Sequence, residues 1–144
     1  MRFITLFILL FNVSFSQELT HKVYFETDKD AITISEQNKL NLFIQGLDTV
    51  TVKQITIHGF CDDRGSHAYN MKLSNRRASS VEQYLEANEI PKELMKIIDG
   101  KGEIDLQTKK NISTTRKNNR RVDIVVNAVY PKEKETNTLE TPTT

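Results

Sequence analysis

Two hydrophobic periods alternate along this chain, and that alternation limits the fold more than any other feature. Val122, Ile124, Val126 and Ala128 alternate with Asp123, Val125, Asn127 and Val129, the two-residue period of a strand with a buried face. Ile55 and Ile57 alternate with Thr56 and His58 in the same way, within a strand expected over residues 50–58 and broken by Gly59. Between them the period lengthens. Thr33-Ile34-Ser35-Glu36 has capping-box spacing and is followed by Leu40, Phe43, Ile44 and Leu47, one apolar stripe on a helix that Gly46 and Asp48 end. Ala78, Val81 and Leu85 mark a second helix, with Ser74 as its expected N-cap and Asn88 near its end. Val23-Tyr24-Phe25 and Leu94 to Asp99 read as the other strands, the latter ended by Gly100-Lys101-Gly102. Residues 17–22 read as a polar lead-in and 103–119 as a polar loop. The order β-α-β-α-β-β requires crossovers that lay helices on a sheet, right-handed ones. The expected fold is a two-layer α/β sandwich: a mixed sheet with helices on one face.

The two ends are different in kind. Met1-Arg2 is followed by an apolar run from Phe3 to Val13, broken only by Thr5 and Asn12, and then by Ser14-Phe15-Ser16. That is the layout of a secretory signal peptide cleaved after Ser16, and the run is well short of the roughly 20 residues a membrane-spanning helix needs. From Pro131 onward the chain has almost no apolar residues, so 131–144 is expected to be a disordered polar tail, leaving 17–130 as the folded domain. Arg2 is the only charged side chain lost on cleavage, so a formal net charge of +1 becomes 0. A neutral domain carries no electrostatic footprint for nucleic acid. The one cysteine, Cys61, can form no internal disulfide. None stands at the cleavage site to carry a lipid, so a lipid anchor is not expected.

Ligands of open α/β sheets sit beyond the carboxyl ends of strands, which directs attention to Phe60 through Arg77. A helix starting at Ser74 would put Arg76 and Arg77 in its first turn, against the helix dipole. Such a placement suits an anion site built from free N–H groups and a guanidinium; the alternative is local pairing with Asp62, Asp63 or Glu82. Asp62 and Asp63 have two uses as well, accepting from a ligand ammonium or capping loop N–H groups. An acid and an arginine framing one pocket suit a zwitterion such as an amino-acid end. His58, Cys61, Asp62 and His67 are metal-capable types, but their spacing matches no standard zinc site. Cys61 with His58 or His67 is a conceivable nucleophile and base, yet a small buried thiol is the simpler account. No catalytic triad spacing or phosphate-binding glycine loop is present.

The same residues carry a family pattern. Gly59-Phe60-Cys61-Asp62-Asp63-Arg64-Gly65-Ser66, then Ala68-Tyr69-Asn70, Leu73-Ser74 and Arg77-Ala78, resembles the central motif of OmpA-like peptidoglycan-binding domains. Val23-Tyr24-Phe25 to Asp28-Lys29, Val81, Tyr84-Leu85, Gly100-Lys101-Gly102-Glu103 and Asn119-Arg120-Arg121-Val122 extend the resemblance from about Val23 to Val129. The resemblance implies a non-enzymatic, cofactor-free module of the periplasm, associated with the outer membrane or a periplasmic protein partner. It implies a grip on the diaminopimelate of the peptidoglycan stem, with Asp62 at its amino group and Arg77 at its carboxylate. Asn70 and Asp28 would support the ligand or loop, and Cys61 stands where the family usually has Thr. The stretch between Gly102 and Asn119 is short and lacks the family's usual Pro. A periplasmic protein-interaction module that has lost the ligand is the alternative.

Overall fold

The computed structural model describes residues 16–103 and 111–131; the expected export segment, up to residue 15, and the polar tail from 132 lie outside them. The elements are β1 (Ser16–Tyr24), α1 (Ile34–Leu47), β2 (Thr51–Cys61), α2 (His67–Ala87), a 3-10 turn at Lys92–Leu94, β3 (Met95–Glu103), α3 (Ile112–Asn119) and β4 (Arg121–Val129). The sheet runs β1-β4-β2-β3. β4 is antiparallel to β1 and β2, whereas β2 and β3 are parallel. This is the mixed α/β sandwich expected from the periodicity. Ile55 and Ile57 of β2 and Val122, Ile124 and Val126 of β4 meet Leu40 of α1 and Val81 and Leu85 of α2 in one core, all fully buried. Each such side chain contributes about 1.5–3 kcal/mol by leaving water.

α1 starts where the capping box placed it: the Thr33 hydroxyl accepts from the Glu36 N–H at 3.4 Å. The Glu36 carboxylate does not turn back to Thr33. It accepts from the Tyr24 N–H at 3.0 Å and from Lys39 Nζ at 2.6 Å, tying the end of β1 to the start of the helix.

Four local expectations are corrected. Residues 17–22 belong to β1, paired along their whole length with β4; β1 is an edge strand with few buried side chains, so backbone pairing rather than an apolar face holds it. Gly59 and Gly100 lie inside strands, as register partners in β2 and β3. A Cβ on Gly59 would stand 2.0 Å from the Ser74 carbonyl oxygen, and one on Gly100 would stand 2.4 Å from Ser74 Oγ. The two glycines therefore seat α2 directly on the sheet, and the Asn75 side chain accepts the Gly100 N–H at 2.7 Å. α2 begins at His67, not after Ser74. Its N-cap is Ser66, whose Oγ accepts from the Tyr69 N–H at 3.2 Å. Ser74 lies mid-helix and donates back to the Met71 carbonyl at 2.9 Å, the hydroxyl's other local habit. Finally, the stretch read as a loop contains α3. Asn119 is its one buried residue, so it has no apolar stripe to betray it.

Candidate functional site

The loop after β1, the loop after β2, the first half of α2 and the residue before β4 converge beyond the carboxyl end of β2. Between them is a cavity of about 230 Å3, lined by Thr27, Asp28, Cys61, Asp62, Arg64, Gly65, Tyr69, Asn70, Leu73, Arg77 and Arg120. All five candidate residues, Asp28, Cys61, Asp62, Asn70 and Arg77, are brought together here.

The route by which Arg77 arrives differs from the expectation. With α2 starting at His67, Arg76 and Arg77 sit in its third turn, beyond the reach of the terminal dipole. The anti-dipole argument for an anion site therefore fails. Arg76 pairs with Asp30 at 2.6 Å on the surface. Arg77 is completely buried. Its Nε donates to the Lys29 carbonyl at 2.8 Å, Nη1 to the Phe60 carbonyl at 3.0 Å and to Cys61 Sγ at 3.4 Å, and Nη2 to the Glu26 carbonyl at 3.1 Å. The Phe25 ring lies 5.3 Å from the guanidinium carbon. Burial lowers its pKa from the ordinary arginine value. Of its five N–H groups, four are committed to tying the 26–29 loop to the end of β2, and the side chain also lines the cavity.

Asp62 is the acid of the site, its side chain 8% exposed. Its Oδ1 accepts from the Arg64 N–H at 3.1 Å, and its Oδ2 from Arg64 Nη2 at 2.6 Å and from Arg120 Nη1 at 3.1 Å. Burial pushes its carboxyl up, but the bonds from Arg64 and Arg120 outweigh that and hold it below the ordinary aspartate value. Arg120 is itself fixed, donating through Nε to the Phe25 carbonyl at 3.1 Å. Asp63 turns away from the cavity and forms a two-bond pair with Arg116 of α3, at 2.6 and 3.0 Å.

The remaining candidates shape the cavity. Asn70 Nδ2 donates to the Asp62 carbonyl at 3.3 Å, and the Cys61 thiol donates to the Asn70 carbonyl at 3.3 Å. Burial raises the Cys61 pKa, so the thiol is protonated at neutral pH. Asp28 adopts a left-handed backbone conformation, φ 62°, which aspartate tolerates better than most residues, and its carboxylate accepts from the Tyr69 hydroxyl at the rim. The burial alternation of β2 places His58 on the opposite face from Cys61, so these two form neither a nucleophile–base pair nor a metal site. Among the described residues no group of three or more His, Cys, Asp or Glu is placed to hold a metal ion.

The OmpA family model matches residues 24–120, a span that holds every residue lining the cavity. The chain belongs to the OmpA family. It is 29% identical over 111 residues to a peptidoglycan-associated lipoprotein of Agrobacterium fabrum, across 77% of this chain and 63% of that protein. It is 32% identical over 103 residues to outer membrane protein A of Bordetella avium, across 72% of this chain and 53% of that protein. The chain thus spans less than two thirds of the length of these relatives. Among solved structures it resembles the OmpA-like domain of a Francisella tularensis protein, with TM-score 0.67 and 21% identity over 83% of this chain and 78% of that one. The cell wall anchor of the T6SS from Pseudomonas aeruginosa gives TM-score 0.63 and 24% identity over 77% and 82%. At these identities the structural likeness establishes the fold.

Within this OmpA-family site, sequence reasoning missed Arg64, Arg120, Tyr69 and Thr27. Arg120 was marked by the Asn119-Arg120-Arg121-Val122 match, but nothing local shows that a residue 58 positions from Asp62 reaches it. Tyr69 and Arg64 lay inside the central motif. Thr27 had no signal of its own.

Proposed function

We propose that this domain binds peptidoglycan without cutting it, taking the diaminopimelate of the stem peptide into the cavity on α2. The observation that carries this reading is the pairing of opposite charges in one small recess. The buried Asp62 carboxylate lies beside the Arg120 guanidinium, and Arg77 lines the same space. A free amino-acid end presents an ammonium for Asp62 and a carboxylate for Arg120 and Arg77. At about 230 Å3 the recess is smaller than the usual 300–1,000 Å3 of pockets that engulf whole ligands, which suits the end of a side chain rather than a sugar. The names of the relatives, peptidoglycan-associated lipoprotein and outer membrane protein A, support a role in the cell envelope. Exported to the periplasm, the domain would hold the wall to the outer membrane or to a periplasmic protein. Few contacts to a small ligand imply weak affinity for a single stem, about millimolar to micromolar.

The test is an NMR titration of the periplasmically exported protein with meso-diaminopimelate, with lysine blocked at its α-amino and α-carboxyl groups as the control, repeated on Asp62→Asn. Asparagine keeps the shape and removes the charge. Saturating shifts around Asp62, Asn70 and Tyr69 with diaminopimelate alone, abolished in Asp62→Asn, are expected. A folded protein that shows no shifts with diaminopimelate would refute this reading in favour of a protein-interaction module.

A further inference from the structure

Arg64 is held in a way that its exposure does not require. Its Nη2 donates to Asp62 Oδ2 at 2.6 Å and to Thr27 Oγ1 at 3.2 Å, and its Nε lies 3.3 Å from both Asp62 oxygens. The side chain runs across the cavity from the β2–α2 loop to the loop after β1. It is 45% exposed, whereas Asp62 beneath it is 8% exposed and Arg120, the other cation on that carboxylate, is 13% exposed. Arg120 is fastened elsewhere, through the Phe25 carbonyl. Among the described residues, the Arg64 side chain has only Thr27 as a hydrogen-bond partner besides Asp62.

We propose that Arg64 is an internal occupant of the ammonium position: it holds the Asp62 carboxylate and straps the cavity to Thr27 in the free protein, and a ligand enters by displacing it. This rests on the reading of Asp62 as acceptor of a ligand ammonium. Displacement leaves the loop intact, because Asp62 keeps the Arg64 backbone N–H and the Arg120 bond. The strap also sets specificity. A guanidinium two residues from the carboxylate competes at high effective concentration. A ligand offering a lone ammonium exchanges one charged bond for another and gains nothing. A ligand carrying a carboxylate beside its ammonium adds a contact to Arg120 that Arg64 cannot make. The strap thus rejects monoamines and the side-chain end of lysine and admits the zwitterionic end. It lowers apparent affinity by the fraction of time the site is strapped.

The experiment uses the protein exported to and purified from the periplasm, as wild type, Arg64→Ala and Arg64→Lys. Each is titrated with meso-diaminopimelate and with methylammonium, and the Arg64 Nε–H signal of the wild type is followed. Because the pair is partly exposed, Arg64→Ala should bind diaminopimelate only roughly 2- to 5-fold more tightly and should begin to respond to methylammonium. Arg64→Lys, which keeps a cation, should stay nearer the wild type. The wild-type Nε–H signal should move to the position of a solvated arginine as diaminopimelate saturates. Equal or weaker binding by Arg64→Ala, or an Nε–H signal unmoved at saturation, overturns the strap and leaves the diaminopimelate reading standing. Absence of binding in both wild type and Arg64→Ala overturns both.

Discussion

Replacing Arg77 with alanine should unfold this domain's site before it can be said to weaken any ligand. The guanidinium is fully buried and donates to the carbonyls of Glu26, Lys29 and Phe60. Alanine would leave three part-buried carbonyls without this donor, at no more than about 1–3 kcal/mol each. Part of that is offset, because the buried charge goes too and its desolvation cost with it, and because water can enter from the adjoining cavity. The net loss should be about 3–5 kcal/mol. For a domain of this size that lowers Tm by roughly 10–20 °C. Urea unfolding followed by circular dichroism measures it, with the midpoint falling and the slope unchanged. Arg77→Lys should fall between, since one ammonium cannot span three carbonyls on two segments. If Arg77→Ala unfolds within about 1 kcal/mol of the wild type, those carbonyls have other partners and the account of Arg77 as the tie between two loops is wrong. The same argument makes lost binding in Arg77→Ala uninformative about contact, which is why Asp62→Asn is the test of the ligand site.

Other outcomes follow from the same geometry. Gly59→Ala should cost more than the about 1–3 kcal/mol of ordinary overpacking, because the clash is with the Ser74 backbone carbonyl and not with a side chain; a melting temperature close to wild type would show that α2 can lift. His21 stacks on Phe43 at 4.8 Å, and its Nε2 is buried with no hydrogen-bond partner among the described residues; burial lowers its pKa. Its contribution to stability is therefore present above the ordinary histidine pKa of about 6.5 and is lost as pH falls through the lower folded value. His21→Phe should flatten that slope in urea midpoints taken between neutral and mildly acidic pH. Asp62, with its folded pKa also depressed, contributes above the ordinary aspartate value of about 3.9 and loses that contribution as pH falls through its folded value; Asp62→Asn should remove this deeper acid step. Cys61, 1% exposed with a raised pKa, should react with a thiol reagent only as fast as the domain opens, and rapid native labelling would contradict its burial.

The parts legible in the sequence were those where one physical signal acted alone. β4 and α1 carried clean periods and a cap, and both stand where those put them. α2 misled because its buried stripe includes Asn70, Ser74 and Arg77, polar residues that broke the apolar period and hid its first two turns. Ser66 and Ser74 are equally good caps by type; only the fold decides that one hydroxyl faces a free N–H and the other a helix carbonyl. Gly59 and Gly100 looked like breaks because their purpose is set by a helix that lies across them. The motif picked out residues that line one cavity even though the dipole argument for them failed. What no local pattern shows is pairing at long range: Arg120 with Asp62, Arg116 with Asp63, Arg64 with Thr27.

Where α2 rests on Gly59 the strand meets the Ser74 backbone directly, and at Gly100 only the short side chains of Ser74 and Asn75 stand between helix and sheet. The helix therefore has little cushion on which to slide or roll, and the wall of the cavity that it provides, Asn70 with Leu73 and Arg77, keeps its place whatever arrives. Adjustment is left to the opposite side, where Arg64 and Thr27 hang from loops. The recess works like a vice with one fixed jaw: geometry is remembered by the sheet and helix, and fit is negotiated by the loops.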